Sequence, residues 1–361
     1  MLTRTRLVEL YKDLRDADVL SVYVDGEQTN PADRRIWHTA LERGLSEERR
    51  RIETHSPEGV AAFDAARDRV LSQLDRHKAF LPARGWVGFA TADGLAYAEG
   101  VAVPMPDLVR WELGVRVAPY VRALKQNRVV VAALADRRKA RIFTYRNGEI
   151  SEHIGLVADL DHGELHESAA SKRAGAQTGS RGETGTDAGQ RALEVSTGRM
   201  HAQLLDAVSD LAGSDGFVVF GGTSELVAGL ARQAHGLSGR YIESTSMHIG
   251  MSESEALVSI EAAASELTRH MQDAVLDQVL DAAGAQGRGC LGVKATKEAL
   301  RDGRVDALLL TRGLREREAD LADHLVGAAF EQGAAVEELS EAGAARLDQE
   351  GEGVGARLRY A

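Results

Sequence analysis

The spacing of apolar residues predicts helices and strands in three successive groups along the chain. In the first group, apolar residues recur at helical spacing near residues 7–14 and through residues 34–81, which favours one or two long helices in the second stretch. Short apolar runs predict strands at residues 19–24, 85–91 and 95–98, with Asp93-Gly94 as a hairpin turn. Residues 1–125 therefore predict a domain of helices and short strands.

The second group, residues 126–272, begins with strands joined by tight turns. Strands are predicted at residues 129–135, 139–145 and 149–157, with turns at Asp136-Arg137-Arg138 and Asn147-Gly148. A helix at residues 192–211, a strand at 216–220 and a further helix follow. Three antiparallel strands followed by alternating helix and strand predict a mixed sheet with flanking helices, in the order of a ribonuclease-H-like fold.

The third group, residues 273–361, alternates helices and strands. Helices are predicted at residues 274–283, 293–302 and 320–332, and strands at 307–311, 335–339 and 353–360. This order predicts a small α/β sandwich. The chain as a whole is therefore expected to be an α/β (α+β) protein of three domains, at residues 1–125, 126–272 and 273–361.

A polar segment interrupts the middle domain. Residues 166–191 contain no apolar residue larger than alanine, so no side chain there can anchor the segment in a core. We expect a solvated loop at residues 163–191, directly before the long helix. Long loops inside compact domains are uncommon, and they are usually functional or disordered. The alternative is an insertion with no role.

The charge distribution limits the partners. The net charge is −11, yet residues 1–125 carry 19 cations and 19 anions, whereas residues 126–272 carry 14 and 19, and residues 273–361 carry 11 and 17. This acidic excess argues against broad phosphate-driven binding and against a DNA partner, although it allows a contact with structured RNA through local basic patches. No apolar run approaches the ~20 residues of a membrane span, so no membrane partner is expected.

Cysteine usage narrows the chemistry further. Cys290 is the single cysteine, which excludes disulfides within the chain and thiolate metal clusters. The side chain is most simply a small buried apolar residue. A cytoplasmic location is the corresponding expectation.

Three motifs offer chemistry, and each has a simpler explanation. His162 and His166 have a spacing that could hold a metal on a helix, but Gly163 disfavours a helix there. The turn Gly221-Gly222-Thr223-Ser224 could present backbone N–H groups to a phosphate, or it could simply cap the helix that follows. Asp136 with Asp161 or Asp215 could form a two-metal nuclease site, although Asp136 lies in a polar turn. We expect no metal and no cofactor.

Four passages together resemble a known family. They are residues 129–143 (VVVAALADRRKARIF), 216–222 (GFVVFGG), 292–310 (GVKATKEALRDGRVDALLL), and residues 333–337 (GAAVE) with the ending at 353–361 (GVGARLRYA). In this order and spacing, the chain resembles the archaeal and eukaryotic class-I release factors and Pelota. It is most similar to their bacterial archaeo-eukaryotic release factor-like relatives, which include Balon.

The resemblance implies a destination for the loop. In the family, this loop of the middle domain enters the peptidyl-transferase centre, and in true release factors it carries Gly-Gly-Gln, which assists water attack on peptidyl-tRNA. This chain has Ala188-Gly189-Gln190 at the matching place, so one glycine is replaced by alanine. The ribosome-contacting residues implied are Lys172, Arg173, Arg181, Gly182, Gly185, Gly189, Gln190 and Arg191.

Three functions are consistent with the resemblance. The first is a factor that occupies the A site of the 70S ribosome, contacts rRNA and acts in hibernation or rescue without peptide hydrolysis. In that case the first domain reaches the decoding centre, and the third meets elongation factor Tu or another translational GTPase. The second is a peptidyl-tRNA hydrolase that uses Gln190 as its catalytic residue. The third is an interaction protein with no ribosome contact.

Overall fold

The computed structural model describes residues 1–27, 36–77, 80–81, 83–157, 185–237, 239–285, 287–339 and 341–360. The chain forms two compact units. The discontinuous unit combines Met1–Asn127 with Arg269–Ala361, and the continuous unit is Arg128–Thr268. No helix among the described residues is long and apolar enough to cross a membrane.

The first segment of the discontinuous unit is built around an antiparallel sheet. Its elements are α1 (Arg4–Asp13), β1 (Asp18–Asp25), α2 (Ile36–His55), α3 (Val60–Leu74), β2 (Gly85–Ala90), β3 (Leu95–Val101), β4 (Leu108–Leu113) and α4 (Ala118–Gln126). The sheet order is β3-β2-β1-β4. Helices α2 and α3 are separate because a short 3-10 turn with proline at its start, Pro57–Gly59, lies between them.

The residues between the two ends of strand β1 are all buried. Because successive side chains of a strand point to opposite faces, both faces of β1 are covered. Leu20, Val22 and Val24 belong to one core cluster with residues of α2 and α3. Val19 and Tyr23 belong to a second cluster that contains residues from both segments of the discontinuous unit. The first and last parts of the chain therefore share a core.

The continuous unit contains the predicted mixed sheet. Its elements are β5 (Val130–Ala135), β6 (Lys139–Arg146), β7 (Glu149–Val157), α5 (Gly185–Ala212), β8 (Phe217–Gly221), α6 (Ser224–Gln233) and β9 (Tyr241–Ser244), and α7 (Glu253–Gly284) begins in it. The strand order is β7-β6-β5-β8-β9, with β5, β6 and β7 antiparallel and β5, β8 and β9 parallel. This order confirms the expected ribonuclease-H-like arrangement.

The last segment forms the predicted α/β sandwich. Its further elements are β10 (Gly289–Leu291), α8 (Val293–Arg301), β11 (Val305–Thr311), α9 (Arg312–Arg317), α10 (Ala319–Glu331), β12 (Ala335–Leu339), α11 (Glu341–Gly351) and β13 (Val354–Leu358), in the sheet order β10-β13-β11-β12. Leu308 and Leu310 of β11 lie in the core shared with the first segment, and Leu309 packs with Leu276 and Leu347 on the opposite face. The sheet thus lies between two apolar layers.

The α/β fold class is confirmed, and the division into three domains stays a prediction. In the structure, the first and last segments form one compact unit rather than two. The predicted boundary at residue 272 falls inside α7, because that helix continues through Glu253–Gly284.

Candidate functional site

A turn of the continuous unit touches both elements that flank residues 158–184. This β5–β6 turn comprises residues 136–139. Lys139 is paired with Val157, the last residue of β7. On the other side, the Thr197 hydroxyl of α5 donates a hydrogen bond of 2.8 Å to the backbone carbonyl of Arg137. The turn therefore lies beside the end of β7, the strand that precedes the predicted functional loop.

Asp136 fixes the conformation of this turn. Its Oδ1 atom accepts hydrogen bonds from the backbone N–H groups of Arg138, at 2.6 Å, and Lys139, at 2.7 Å. An aspartate that binds the backbone two and three residues further on is typical of tight turns. The carboxylate is thus used to hold the turn, and the side chains that follow it are directed by that conformation.

The turn presents three cations to solvent. Arg137, Arg138 and Lys139 are all exposed. Within the part of the chain that the structure describes, none of their side chains takes part in an ion pair. Arg141, by contrast, is bound to Glu152 and to the carbonyls of Ile249 and Met251, so it has a structural role. The three turn cations form a local positive site in a segment that is acidic overall.

His201 joins helix α5 to the same turn without adding charge. Its side chain lies close to the Asp136 backbone, and burial lowers the pKa of the imidazole below its ordinary value of 6.5. The imidazole is therefore neutral at physiological pH. Together with the Thr197 hydrogen bond, it joins the middle of α5 to the backbone of the turn.

The structure places the predicted loop residues in two groups. Lys172, Arg173, Arg181 and Gly182 lie outside the described residues. Gly185, Gly189, Gln190 and Arg191 lie within the backbone of α5, which begins at Gly185, while their side chains lie outside what the structure describes.

The predicted loop end at residue 191 is therefore wrong. Helix α5 begins six residues earlier, so Ala188-Gly189-Gln190 belongs to its first two turns. Ala188, Ala192 and Leu193 have high helix propensity, and the acidic Asp187 in the first turn favours the positive end of the helix dipole. These local preferences explain why the helix extends beyond the apolar pattern.

The glycine turn after β8 is explained by packing rather than by phosphate binding. A Cβ atom on Gly221 would lie 2.4 Å from a Leu134 side-chain atom. One on Gly222, where φ is +150°, would lie 2.6 Å from the Ala135 carbonyl oxygen. Thr223 occupies the N-cap position of α6, and Glu225 in the first turn would repel an anion. A tight turn before α6 therefore fits this geometry, although the Thr223 side chain makes no capping hydrogen bond.

The two-aspartate nuclease hypothesis does not fit the sheet. Strands β5 and β8 are parallel, with Val130 opposite Phe217. Asp136 follows the carboxyl end of β5, whereas Asp215 precedes the amino end of β8, roughly 26 Å away along the strands. Asp161, His162 and His166 lie outside the described residues. Among the residues that are described, no cluster of acidic, histidine or cysteine side chains could hold a metal.

Cys290 in the last segment is half-buried, and its sulfur lies 3.9 Å from the Thr296 hydroxyl. Burial raises the pKa of the thiol above its ordinary value of 9.0. Because the thiolate is the reactive form, this cysteine is a poor nucleophile.

A model of a known protein family matches the middle of the chain. Residues 116–266 match the model described as bacterial archaeo-eukaryotic release factor family 10. The matched region is less than half of the chain, and it contains β5–β6, β8 and their turns. The relationship to release factor-like proteins inferred from the sequence is thus confirmed. No curated protein matches the chain.

Several solved structures are similar to the chain at low identity. The crystal structure of the archaeal translation termination factor aRF1 aligns over 99% of this chain and 99% of its own, at 15% identity and a TM-score of 0.28. S. cerevisiae Dom34, a translation termination-like factor involved in RNA quality control pathways, aligns over 64% of this chain and 63% of its own, at 12% identity and a TM-score of 0.44. Archaeal Pelota in a ribosome-bound model aligns over 99% and 94%, at 12% identity and a TM-score of 0.43.

Proposed function

We propose that this chain, whose residues 116–266 match the model of bacterial archaeo-eukaryotic release factor family 10, is a translation factor that binds the ribosome. The observation that carries the proposal is the exposed basic β5–β6 turn in the matched region. Its three cations, Arg137, Arg138 and Lys139, form no ion pair with any described residue and are suited to the phosphates of rRNA. Because residues 126–272 are acidic overall, the contact with rRNA would be confined to this turn.

The position of the turn supports a specific mode of binding. The turn lies where β7 ends and where α5 is anchored, so its cations would grip rRNA at the base of residues 158–184. We propose that this segment, with Lys172, Arg173, Arg181 and Gly182, enters the peptidyl-transferase centre of the 70S ribosome. The factor would then occupy the A site, with elongation factor Tu or another translational GTPase as a partner.

We further propose that the factor acts in hibernation or rescue and does not hydrolyse peptidyl-tRNA. Two features of residues 188–190 support this. Alanine stands at the first position of the tripeptide, where its Cβ restricts the backbone conformations that glycine allows. In addition, backbone N–H groups beyond the first four of a helix are bonded within it, so Gly189 and Gln190 of α5 do not offer free ones.

Sedimentation with purified 70S ribosomes, with and without elongation factor Tu, tests the proposal. The wild-type protein is expected in the 70S fraction, and the double variant Arg137→Ala/Arg138→Ala is expected to bind about tenfold more weakly, with a lower salt dependence. The matched control is Arg146→Ala/Arg232→Ala, which removes the same charge from exposed positions of the same unit.

The two variants separate the outcomes. Arg146 lies at the far end of β6 from the turn, and Arg232 lies in the last turn of α6. If both double variants lose binding equally, the contact is general electrostatic attraction and the turn has no special role. Absence of the wild-type protein from the 70S fraction under both conditions would favour the interaction protein without ribosome contact.

A further inference from the structure

A second concentration of positive charge lies in the last segment, far along the chain from the β5–β6 turn. The end of β13, the start of β10 and the end of α7 enclose a concavity of about 480 Å³. We call it the arginine pocket. Its polar lining consists of Gln278, Arg288, Asp306, Arg357 and Arg359. Three of these five side chains are arginines, and one is a carboxylate.

Two of the arginines are held in place by the fold. Arg357 is paired with Asp306, at 2.6 Å, and also donates to the Gln278 side-chain oxygen at 2.8 Å. Arg359 donates to the backbone carbonyls of Gly303, at 3.3 Å, and Gln332, at 2.6 Å. Carbonyl groups orient the guanidinium group of Arg359 but do not neutralise it, so this positive charge remains available to a ligand.

The third arginine is unpaired within the part of the chain that the structure describes. Arg288 is exposed, and its guanidinium group makes no hydrogen bond or ion pair with any residue that the structure describes. With Asp306 offsetting Arg357, the pocket carries an excess of two positive charges, on Arg288 and Arg359. The surrounding segment, residues 273–361, has 11 cations against 17 anions. The pocket is therefore an exception to the charge of its own domain.

This combination matches the requirements of a phosphate group. Guanidinium groups present paired N–H donors whose geometry fits phosphate oxygens. Because Arg359 is already oriented by two backbone carbonyls, it loses little side-chain freedom when an anion binds. A phosphate concentrates its charge on one centre, which suits two guanidinium charges at one concavity. An extended acidic peptide would fit less well, because outside the arginine pocket it would be repelled by the acidic residues of the same segment.

We propose that the arginine pocket binds a phosphate group, with Arg288 and Arg359 as its main ligands. The phosphate can belong to an RNA backbone or to a free nucleotide, and the chemistry of recognition is the same for both. This site is separate from the β5–β6 turn and does not depend on the function proposed for that turn.

Binding to the full-length protein tests the site in two arms. In the first, equilibrium dialysis measures binding of radiolabelled inorganic phosphate and of GMP. In the second, fluorescence anisotropy measures binding of a short labelled single-stranded RNA over a range of salt concentrations. The RNA arm is run in the Arg137→Ala/Arg138→Ala background, so that the turn does not contribute to the signal.

The test variant is Arg288→Ala, and the control is Arg346→Ala. The Arg288 side chain has no hydrogen bond or ion pair to lose among the described residues, and Arg346 is a half-exposed arginine of the same segment, paired with Asp277. We expect Arg288→Ala to weaken binding about tenfold in the arm that holds the natural source of phosphate. If that source is RNA, the salt slope should also fall by about one. The control should match the parent protein.

The outcomes separate the sources of phosphate and can overturn the proposal. An effect of Arg288→Ala confined to the RNA arm identifies a backbone phosphate as the ligand, and one confined to the dialysis arm identifies a free nucleotide or phosphate. If Arg288→Ala and Arg346→Ala give the same affinities in both arms, or if the parent protein binds no probe, the pocket is not a phosphate site.

Discussion

The guanidinium group of Arg116 donates a hydrogen bond of 2.6 Å to the carboxylate of Asp320, which lies 204 residues further along the chain. The same group also binds both carboxylate oxygens of Glu112 at 2.8 Å and lies 3.5 Å from Asp323. The Arg116 side chain is only 3% exposed. A single buried arginine therefore joins the first and last segments of the discontinuous unit.

Replacing Arg116 by methionine is expected to destabilise the protein strongly. Removal of one partner from a buried ion network leaves the other charges uncompensated, which costs about 3–5 kcal/mol. Glu112 is affected most, because it loses both of its 2.8 Å hydrogen bonds, whereas Asp323 keeps its pair with Arg122 at 2.7 Å. Urea denaturation measures the free energy of unfolding. Arg6→Ala, at an exposed pair with Glu9, should cost less than about 1 kcal/mol. Equal losses in the two variants would contradict the buried network.

The Arg116–Asp320 bond should also make stability depend on pH. The hydrogen bond from Arg116 lowers the pKa of Asp320 below its ordinary value of 3.8. Since the folded pKa is lower than the unfolded one, the bond stabilises the protein above about pH 4 and loses its effect as the pH falls through the folded pKa.

The variant Asp320→Asn measures this dependence. It should be less stable than the wild type near neutral pH, by no more than about 1 kcal/mol, since the Asp320 side chain is 64% exposed. The free-energy difference should shrink as the pH is lowered. A difference that grows toward acid pH would have the wrong sign for this pair.

Replacing each of two glycines of the continuous unit by alanine should have opposite effects on stability. Gly222→Ala places a Cβ 2.6 Å from the Ala135 carbonyl oxygen at a φ of +150°, so we expect a loss of about 1–3 kcal/mol. Gly229 lies in the middle of α6, with no atom within 4 Å of the added Cβ, so Gly229→Ala should gain about 0.5–1 kcal/mol. Thermal unfolding of both variants provides the measurement, and a stabilising Gly222→Ala would show that the turn after β8 is not tightly packed.

The chain should lack release activity regardless of Gln190. We expect the wild-type protein and Gln190→Ala to release no labelled peptide from a stalled ribosome above the buffer level, and to sediment equally with ribosomes. A true release factor provides the positive control. Release by the wild type that disappears in Gln190→Ala would instead establish the peptidyl-tRNA hydrolase.

Local sequence signals predict the elements whose conformation is set locally. Asn147 and Gly148, with φ values of 53° and 87°, form the predicted hairpin turn, and β7 has the predicted bounds at residues 149–157. Strand β4 was missed because its state depends on pairing with β1, for example Trp111 opposite Leu20, and not on its own pattern. The short edge strand β9 was missed for the same reason.

The first part of α7, before the predicted helix at residues 274–283, has an apolar pattern that indicates a helix. Ala256, Ile260, Ala263 and Leu267 are buried at helical spacing, but two of the four are alanines, which give a weak apolar pattern.

The sequence predicts the candidate site only in part. The sequence indicated a polar turn at Asp136, but the proximity of this turn to the end of β7 and to Thr197 of α5 arises from tertiary contacts.

The core shared by the two ends of the chain has a consequence for biosynthesis. As the polypeptide leaves the ribosome, α2 and α3 can cover one face of the first sheet, whereas the face that carries Val19 and Tyr23 must wait for partners such as Leu308 and Phe330. The continuous unit is complete by Thr268 and can close before them. Nascent chains of this protein should therefore expose an apolar surface until the last segment has been synthesised, which makes that interval the one in which chaperones matter most.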